Sequence, residues 1–326
     1  MKGISTCPLF HIETLADLDK AAREGKTPED EVGIIADKVP QMHSAPTLSH
    51  KELAIQNLIG NAVPMDGRIL LAGAVRRLDQ HLGVVHEPTP EAEAYRRWQE
   101  RDFLEVERRF AKGWRDALNA IDLKTVAAGV KAFGINPANC KSLEQAKEIA
   151  GGLVAGRSVP DLIKLALIVL NADPRIEKLA VERWKASRRA TLAEYAPYAA
   201  HILLVEVFFQ VALGSERIGT SLNSNRTDIV YLYYLPFCNV YVSSDRLHEK
   251  CAPLFLREDQ SFVWGQDLKR DLQRLVERYA ALPNEEKEKG VICFAPTPPR
   301  DDAECLVGKL WDRHLRTWRE ERPPLS

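Results

Sequence analysis

The run from Asn225 to Asp245, Asn-Arg-Thr-Asp-Ile-Val-Tyr-Leu-Tyr-Tyr-Leu-Pro-Phe-Cys-Asn-Val-Tyr-Val-Ser-Ser-Asp, constrains this chain more than any other stretch. It reads as a short apolar helix with Asp228 at its start, followed by a buried strand closed by Asp245. In an α/β fold those two places lie side by side at the edge of the sheet, where ligands bind. Two carboxylates brought together there repel one another unless a cation or a shared proton intervenes. Each acid also has a plainer use, Asp228 in the first turn of its helix and Asp245 as the cap of the next. Their joint placement favours the functional use.

Most of the remaining sequence has helical spacing. Pro8 suits a first helical turn with Thr6 as its cap, and Glu13 and Asp17, four apart, share one face of that helix. Helices are predicted over 30–39, 50–58 and 70–82, with a turn-rich connection at 60–68. Residues 91–121 carry Tyr95, Trp98, Val106, Phe110, Ala117 and Ile121 at helical spacing and read as one long helix. Gly129 to Pro137 and Gly151-Gly152 interrupt the pattern. Helices resume over 158–170, 175–193 and 195–213. The last is apolar around Glu206, a buried acid that needs a partner such as an arginine. Residues 266–282 read as an amphipathic helix, 290–295 as a second strand and 303–318 as a final helix.

Charge narrows the range of partners. With 45 basic against 46 acidic residues, no global field draws the chain to a polyanion, so nucleic-acid contact must come from a local patch. One basic run, Arg183, Lys185, Arg188 and Arg189 around Trp184, has the make-up for RNA contact, although a solvated helix face is its simpler reading. The six cysteines are scattered without a C-x-x-C pair, which argues against structural zinc and for reduced thiols. Cys238 reads as a packing residue and His248 as helix surface. No glycine cluster has phosphate-loop spacing. The amino terminus lacks a signal-like pattern, and the apolar runs 165–170 and 202–209 are too short to span a bilayer, so a cytoplasmic protein is expected.

Asp228, the strand Asn239-Val240-Tyr241-Val242 and the closing Ser243-Ser244-Asp245 together resemble the carboxyl-terminal acidic half of the PIN-domain nuclease superfamily, over residues 223–250. A weaker resemblance covers residues 4–20, where Cys7-Pro8-Leu9-Phe10-His11-Ile12-Glu13 is similar to the early helix that carries a Glu in that family. The resemblance implies an α/β fold, a Rossmann-like PIN core with a parallel sheet, formed by 1–50 and 214–326, with a large mainly α-helical insertion at 51–213. It implies a metal-dependent ribonuclease in which Asp228, Asp245 and Glu13 bind Mg²⁺ or Mn²⁺ and Asp17 joins them as a catalytic acid. Arg226, Ser243 and Ser244 would contact the RNA substrate. A toxin or defence role, with a protein antitoxin as partner, is implied on the same ground. The family's first-strand Asp has no match ahead of Pro8. Either that strand lies upstream of Met1, or Asp17 substitutes for it, or the acidic set is one short. A non-catalytic protein, either a degenerate PIN-like fold or a helical adaptor binding through 91–121, is the alternative from a different class.

Overall fold

The computed structural model describes residues 7–22, 25–39, 48–65, 74–78, 81–85, 90–125, 140–220, 223–299 and 301–316. The chain divides into two compact units, Met1–Phe237 and Cys238–Ser326. The boundary falls inside the helix–strand run, between its helical and its extended halves.

In the first unit, helix α1 (Pro8–Ala16) starts on Cys7, whose Sγ accepts the Phe10 N–H at 3.3 Å. The expected cap, Thr6, lies outside the described residues. Helix α2 (Pro28–Ala36) opens with a reciprocal Thr27–Asp30 capping box, and α3 (His50–Leu58) is capped by Ser49. Residues 74–78 and 81–85 pair as antiparallel strands β1 and β2 where a helix was expected.

The long helix expected over 91–121 is two helices, α4 (Pro90–Gln99) and α5 (Glu105–Asn119). Arg101 takes a left-handed backbone between them (φ 58°). Its guanidinium lies against Gly33, pairs with Asp37 at 2.9 Å and donates to the Gln99 carbonyl at 2.6 Å. Glu107 is buried and serves both helices. It accepts the Leu104 N–H at 2.8 Å, the Arg97 guanidinium at 2.6 Å and the Trp98 indole N–H at 3.2 Å. Tyr95 and Trp98 are therefore core residues, packed with Leu15, Leu18, Val32, Ala36 and Ala111.

A second cluster forms around the apolar helix. Helices α6 (Leu143–Ala155), α7 (Val159–Val169), α8 (Ile176–Ser187) and α9 (Pro197–Gly214) follow in order. Gly151 and Gly152, expected to break the chain, lie within α6. Helix α9 packs on α6, α3 and α7 and buries Tyr198, Leu203, Phe208 and Phe209. Its first turn is capped from a distance, because the buried Asn57 Oδ1 accepts the Tyr198 N–H at 2.8 Å and the Ala199 N–H at 3.3 Å. With 18 residues and a mean hydropathy of 1.4, α9 is long and apolar enough to cross a bilayer, and 67% of it is buried inside the protein. The unit closes with α10 (Asn225–Tyr231) and a tighter helical turn, Leu232–Phe237.

The second unit holds β3 (Val240–Ser243), α11 (Arg246–Phe255), β4 (Ser261–Trp264), α12 (Gly265–Ala280) and α13 (Leu306–Trp311). Strands β3 and β4 are parallel, with Val240 opposite Ser261 and Ser243 opposite Trp264. The apolar run at 290–295 forms a helical turn, Val291–Phe294, after Gly290 at φ +88°, and not the second strand expected there.

The α/β expectation is corrected by this architecture. The described residues are dominated by helix and contain one two-stranded parallel pair and one two-stranded antiparallel pair. A Rossmann-like PIN core with a multi-strand parallel sheet is not what forms. Of the two short apolar runs that carried the expectation, 240–243 forms a strand and 290–295 does not, and at such lengths periodicity cannot separate a strand from a helical turn.

Candidate functional site

The Tyr231-Leu232-Tyr233-Tyr234 segment binds the first unit together through polar contacts. The Tyr231 hydroxyl donates to the Glu13 carboxylate on α1. The Tyr233 hydroxyl donates to Glu206 Oε2 on α9 at 2.7 Å. His201 Nε2, also on α9, donates to the Leu232 carbonyl at 2.9 Å. The Tyr234 hydroxyl accepts the His50 backbone N–H at 3.4 Å and lies 3.0 Å from His50 Nδ1 at the start of α3. Three tyrosines in four residues bring one buried and two part-buried hydroxyls into the packing, and a buried hydroxyl without a partner is costly. Here each hydroxyl goes to a different residue of another helix.

Glu206 is 7% exposed. The arginine partner its burial demands is Arg226 on α10, with Nη1 3.1 Å from Oε2, while Gln210 Nε2 donates to Oε1 at 3.1 Å. The Arg226 guanidinium also lies over the Phe209 ring, 5.7 Å from its centroid. Arg226, expected to contact substrate, is thus tied to α9.

His50 sits beside this pair. Burial, reinforced by the positive charges of Arg226 and Lys51, pushes its pKa down to about 4, so the ring is neutral over the ordinary range. Its ring lies 5.3 Å from that of Tyr233 and 5.7 Å from that of Tyr234.

Of the expected acids, Glu13 is bonded to Tyr231, which lies three residues after Asp228 on α10. Both carboxylates, with burial as the larger cause, raise the pKa of the Tyr231 hydroxyl. Burial also raises the pKa of Glu13, the Tyr231 hydrogen bond opposes that rise, and Asp17 adds to it. Asp17 itself is ion-paired with Lys20 at 2.5 Å and with Arg115 of α5 at 3.3 Å.

Asp245, in the second unit, caps α11. Its Oδ1 accepts the Leu247 N–H at 2.7 Å and the His248 N–H at 3.2 Å. Ser243 Oγ accepts the Asp245 N–H at 3.1 Å and lies 2.8 Å from His248 Nδ1. His248 is buried, 6% exposed and edge-on to Tyr241, and not at the helix surface as expected. Ser244 Oγ lies against Gly265, where a β-carbon would collide with it. Cys238 is a packing residue whose thiol burial pushes up to about 11.

Among the described residues no three His, Cys, Asp or Glu side chains come together as a metal-holding group. Sequence reasoning missed Tyr231, Tyr233, Tyr234, His50 and His201. The density of tyrosines in an otherwise aliphatic run was the signal available. No protein-family model, curated protein or solved structure matches the chain.

Proposed function

We propose that the chain is a ribonuclease that hydrolyses phosphodiester bonds with a divalent ion, and that Glu13 and Asp228 are the acids nearest the chemistry. The observation that carries this reading is that Tyr231, three residues after Asp228 on α10, donates its hydroxyl to Glu13. The two acids are remote in sequence, and the resemblance picked each of them separately.

Two carboxylates fit such an ion by donor chemistry, because Mg²⁺ keeps several waters and takes one or two carboxylates together with substrate phosphate. Glu13 and Asp228 would hold it. When bound, the ion supplies a water of lowered pKa and stabilises charge on the phosphate. The chain's own contribution is positional. Tyr231 orients Glu13, and the Glu206–Arg226 pair fixes the helix from which Asp228 projects.

The test is cleavage of single-stranded RNA in Mg²⁺ or Mn²⁺ by the wild type, Glu13→Gln and Asp228→Asn, with circular dichroism as the folding control. Cleavage by the wild type and at least a hundredfold loss in both variants, with helix content unchanged, is the expected result. Variants as active as the wild type would overturn the assignment.

One observation favours a second reading, a non-catalytic helical interaction protein. Val106 (65% exposed) and Phe110 (43%) recur with exposed Gly113 and Ala117 at helical spacing on α5, on a different face from buried Glu107 and Ala111. A folded wild type that cleaves nothing in either metal would support it.

A further inference from the structure

We infer that the carboxyl end of α8 is a binding surface for single-stranded RNA, in which Trp184 stacks a base and Arg183, Lys185, Arg188 and Arg189 take the neighbouring phosphates. The choice of RNA as the polymer rests on the ribonuclease reading, while the surface itself rests on separate observations.

The seven residues 183–189 carry four cations and no acid, and all four cations are exposed. Among the described residues none of the four makes an ion pair. Several arginines elsewhere are spent on carboxylates: Arg97 on Glu107, Arg101 on Asp37, Arg226 on Glu206, Arg257 on Asp259, and Arg278 on Asp301. The nearest acids do not quench the patch. Glu182 makes no ion pair with it, and the Glu194 carboxylate is occupied by the Ala190 and Thr191 N–H groups at 2.9 and 3.2 Å.

Trp184 is held rigidly within this patch. Its indole N–H donates to the Arg189 carbonyl at 2.9 Å, the Arg189 N–H donates to Ser187 Oγ at 3.2 Å, and the Ser187 hydroxyl donates to the Trp184 carbonyl at 2.7 Å. Arg188, left-handed at φ 58°, makes the reversal that closes this ring of bonds. The indole is half-buried and makes no aromatic or cation contact among the described residues. A fixed aromatic ring amid unpaired cations matches what an unstacked base with flanking phosphates requires. A helix C-terminus attracts cations in any protein, but that attraction accounts for neither the locked indole nor the lack of counter-charges.

The test uses the full chain in EDTA, which removes cleavage from the measurement, and reads binding by fluorescence anisotropy of a labelled single-stranded RNA. Trp184→Ala should weaken binding roughly tenfold, and Trp184→Phe should restore most of the loss. Replacing the four cations by Gln should flatten the dependence of log K on log salt by about 0.7 for each phosphate contact removed. Wild-type affinity in Trp184→Ala would overturn the inference, as would equal affinity for duplex RNA or stronger binding to phosphatidylserine vesicles. The two proposals fail separately. A chain that cleaves RNA but whose RNA affinity ignores the Trp184 and cation variants sinks the surface alone, whereas Trp184-dependent binding by a chain that never cleaves sinks the ribonuclease alone.

Discussion

Asp228 belongs to a segment whose side chains reach across the first unit, whereas Asp245 is held by its own neighbours. Around Asp228, Tyr231 reaches a residue 218 positions away and Tyr234 one 184 positions away, while Tyr233 crosses 27 positions to Glu206. Around Asp245, the contacts are two, three and five residues apart. The first arrangement exists only once α1, α3, α9 and α10 have packed. The second needs a strand end, a turn and a helix start. An acid in the first arrangement is positioned by the fold, and one in the second by a local cap. The two should therefore respond differently to substitution.

The largest effect is expected where the long-range network holds a buried charge. Glu206→Leu leaves the Arg226 guanidinium and the Tyr233 hydroxyl without their acceptor. Removing one partner of a buried ion pair costs about 3 kcal/mol or more, and urea unfolding followed by circular dichroism should show it. The double variant Glu206→Leu/Arg226→Met should lose less than the sum of the two single losses, because no orphaned charge remains. Additive losses would show that the pair is not coupled and that α10 is anchored by other contacts.

The next effect depends on pH. His50 titrates near 6.5 when unfolded and near 4 when folded, with burial the main cause. The unfolded chain binds the extra proton in between, so this stability is complete above pH 6.5 and is lost as pH falls toward 4. The shift corresponds to roughly 3 kcal/mol, reduced to about 2 kcal/mol by residual contact with solvent. His50→Leu should flatten the pH dependence of the urea midpoint between pH 7 and 4.5. An unchanged slope would mean that the ring is solvated and that the Tyr234 contact is weaker than the structure implies.

The same contrast explains what could be read from the sequence. Ser49, Thr27 with Asp30, and Asp245 cap helices because the preference for a short polar side chain at that position operates over three residues. The α3 helix was read with its observed limits, and the need of Glu206 for an arginine followed from its apolar surroundings. Which arginine met that need did not, because 45 basic residues supply many candidates and nothing local selects Arg226. The tyrosines pass for apolar residues in a periodicity argument because a phenol presents an aromatic ring, and only its hydroxyl demands a partner. The sheet was misjudged for a related reason: four apolar residues at 291–294 satisfy a strand and a helical turn equally, and Gly290 at φ +88° leads into the turn. The break at Arg101 was hidden because the apolar spacing carries across it, while the Asp37 and Gly33 contacts that stabilise it come from α2 and the residue just after it.

The smallest effect is expected at Asp245, where it is also the most informative. Asp245→Ala removes the acceptor for the Leu247 and His248 amides and should cost about 1 kcal/mol, whereas Asn, an equally good cap, should cost almost nothing. Hydrogen exchange at those two amides provides the direct measurement, with faster exchange expected in the Ala variant and near wild-type protection in the Asn variant. Because Asn keeps the cap and removes only the charge, Asp245→Asn separates structure from chemistry at this residue. If RNA cleavage survives in Asp245→Asn, the acid is only a cap. If cleavage falls while both amides stay protected, Asp245 contributes its charge to the reaction, and the locally held acid then matters to catalysis as much as the one held across the fold.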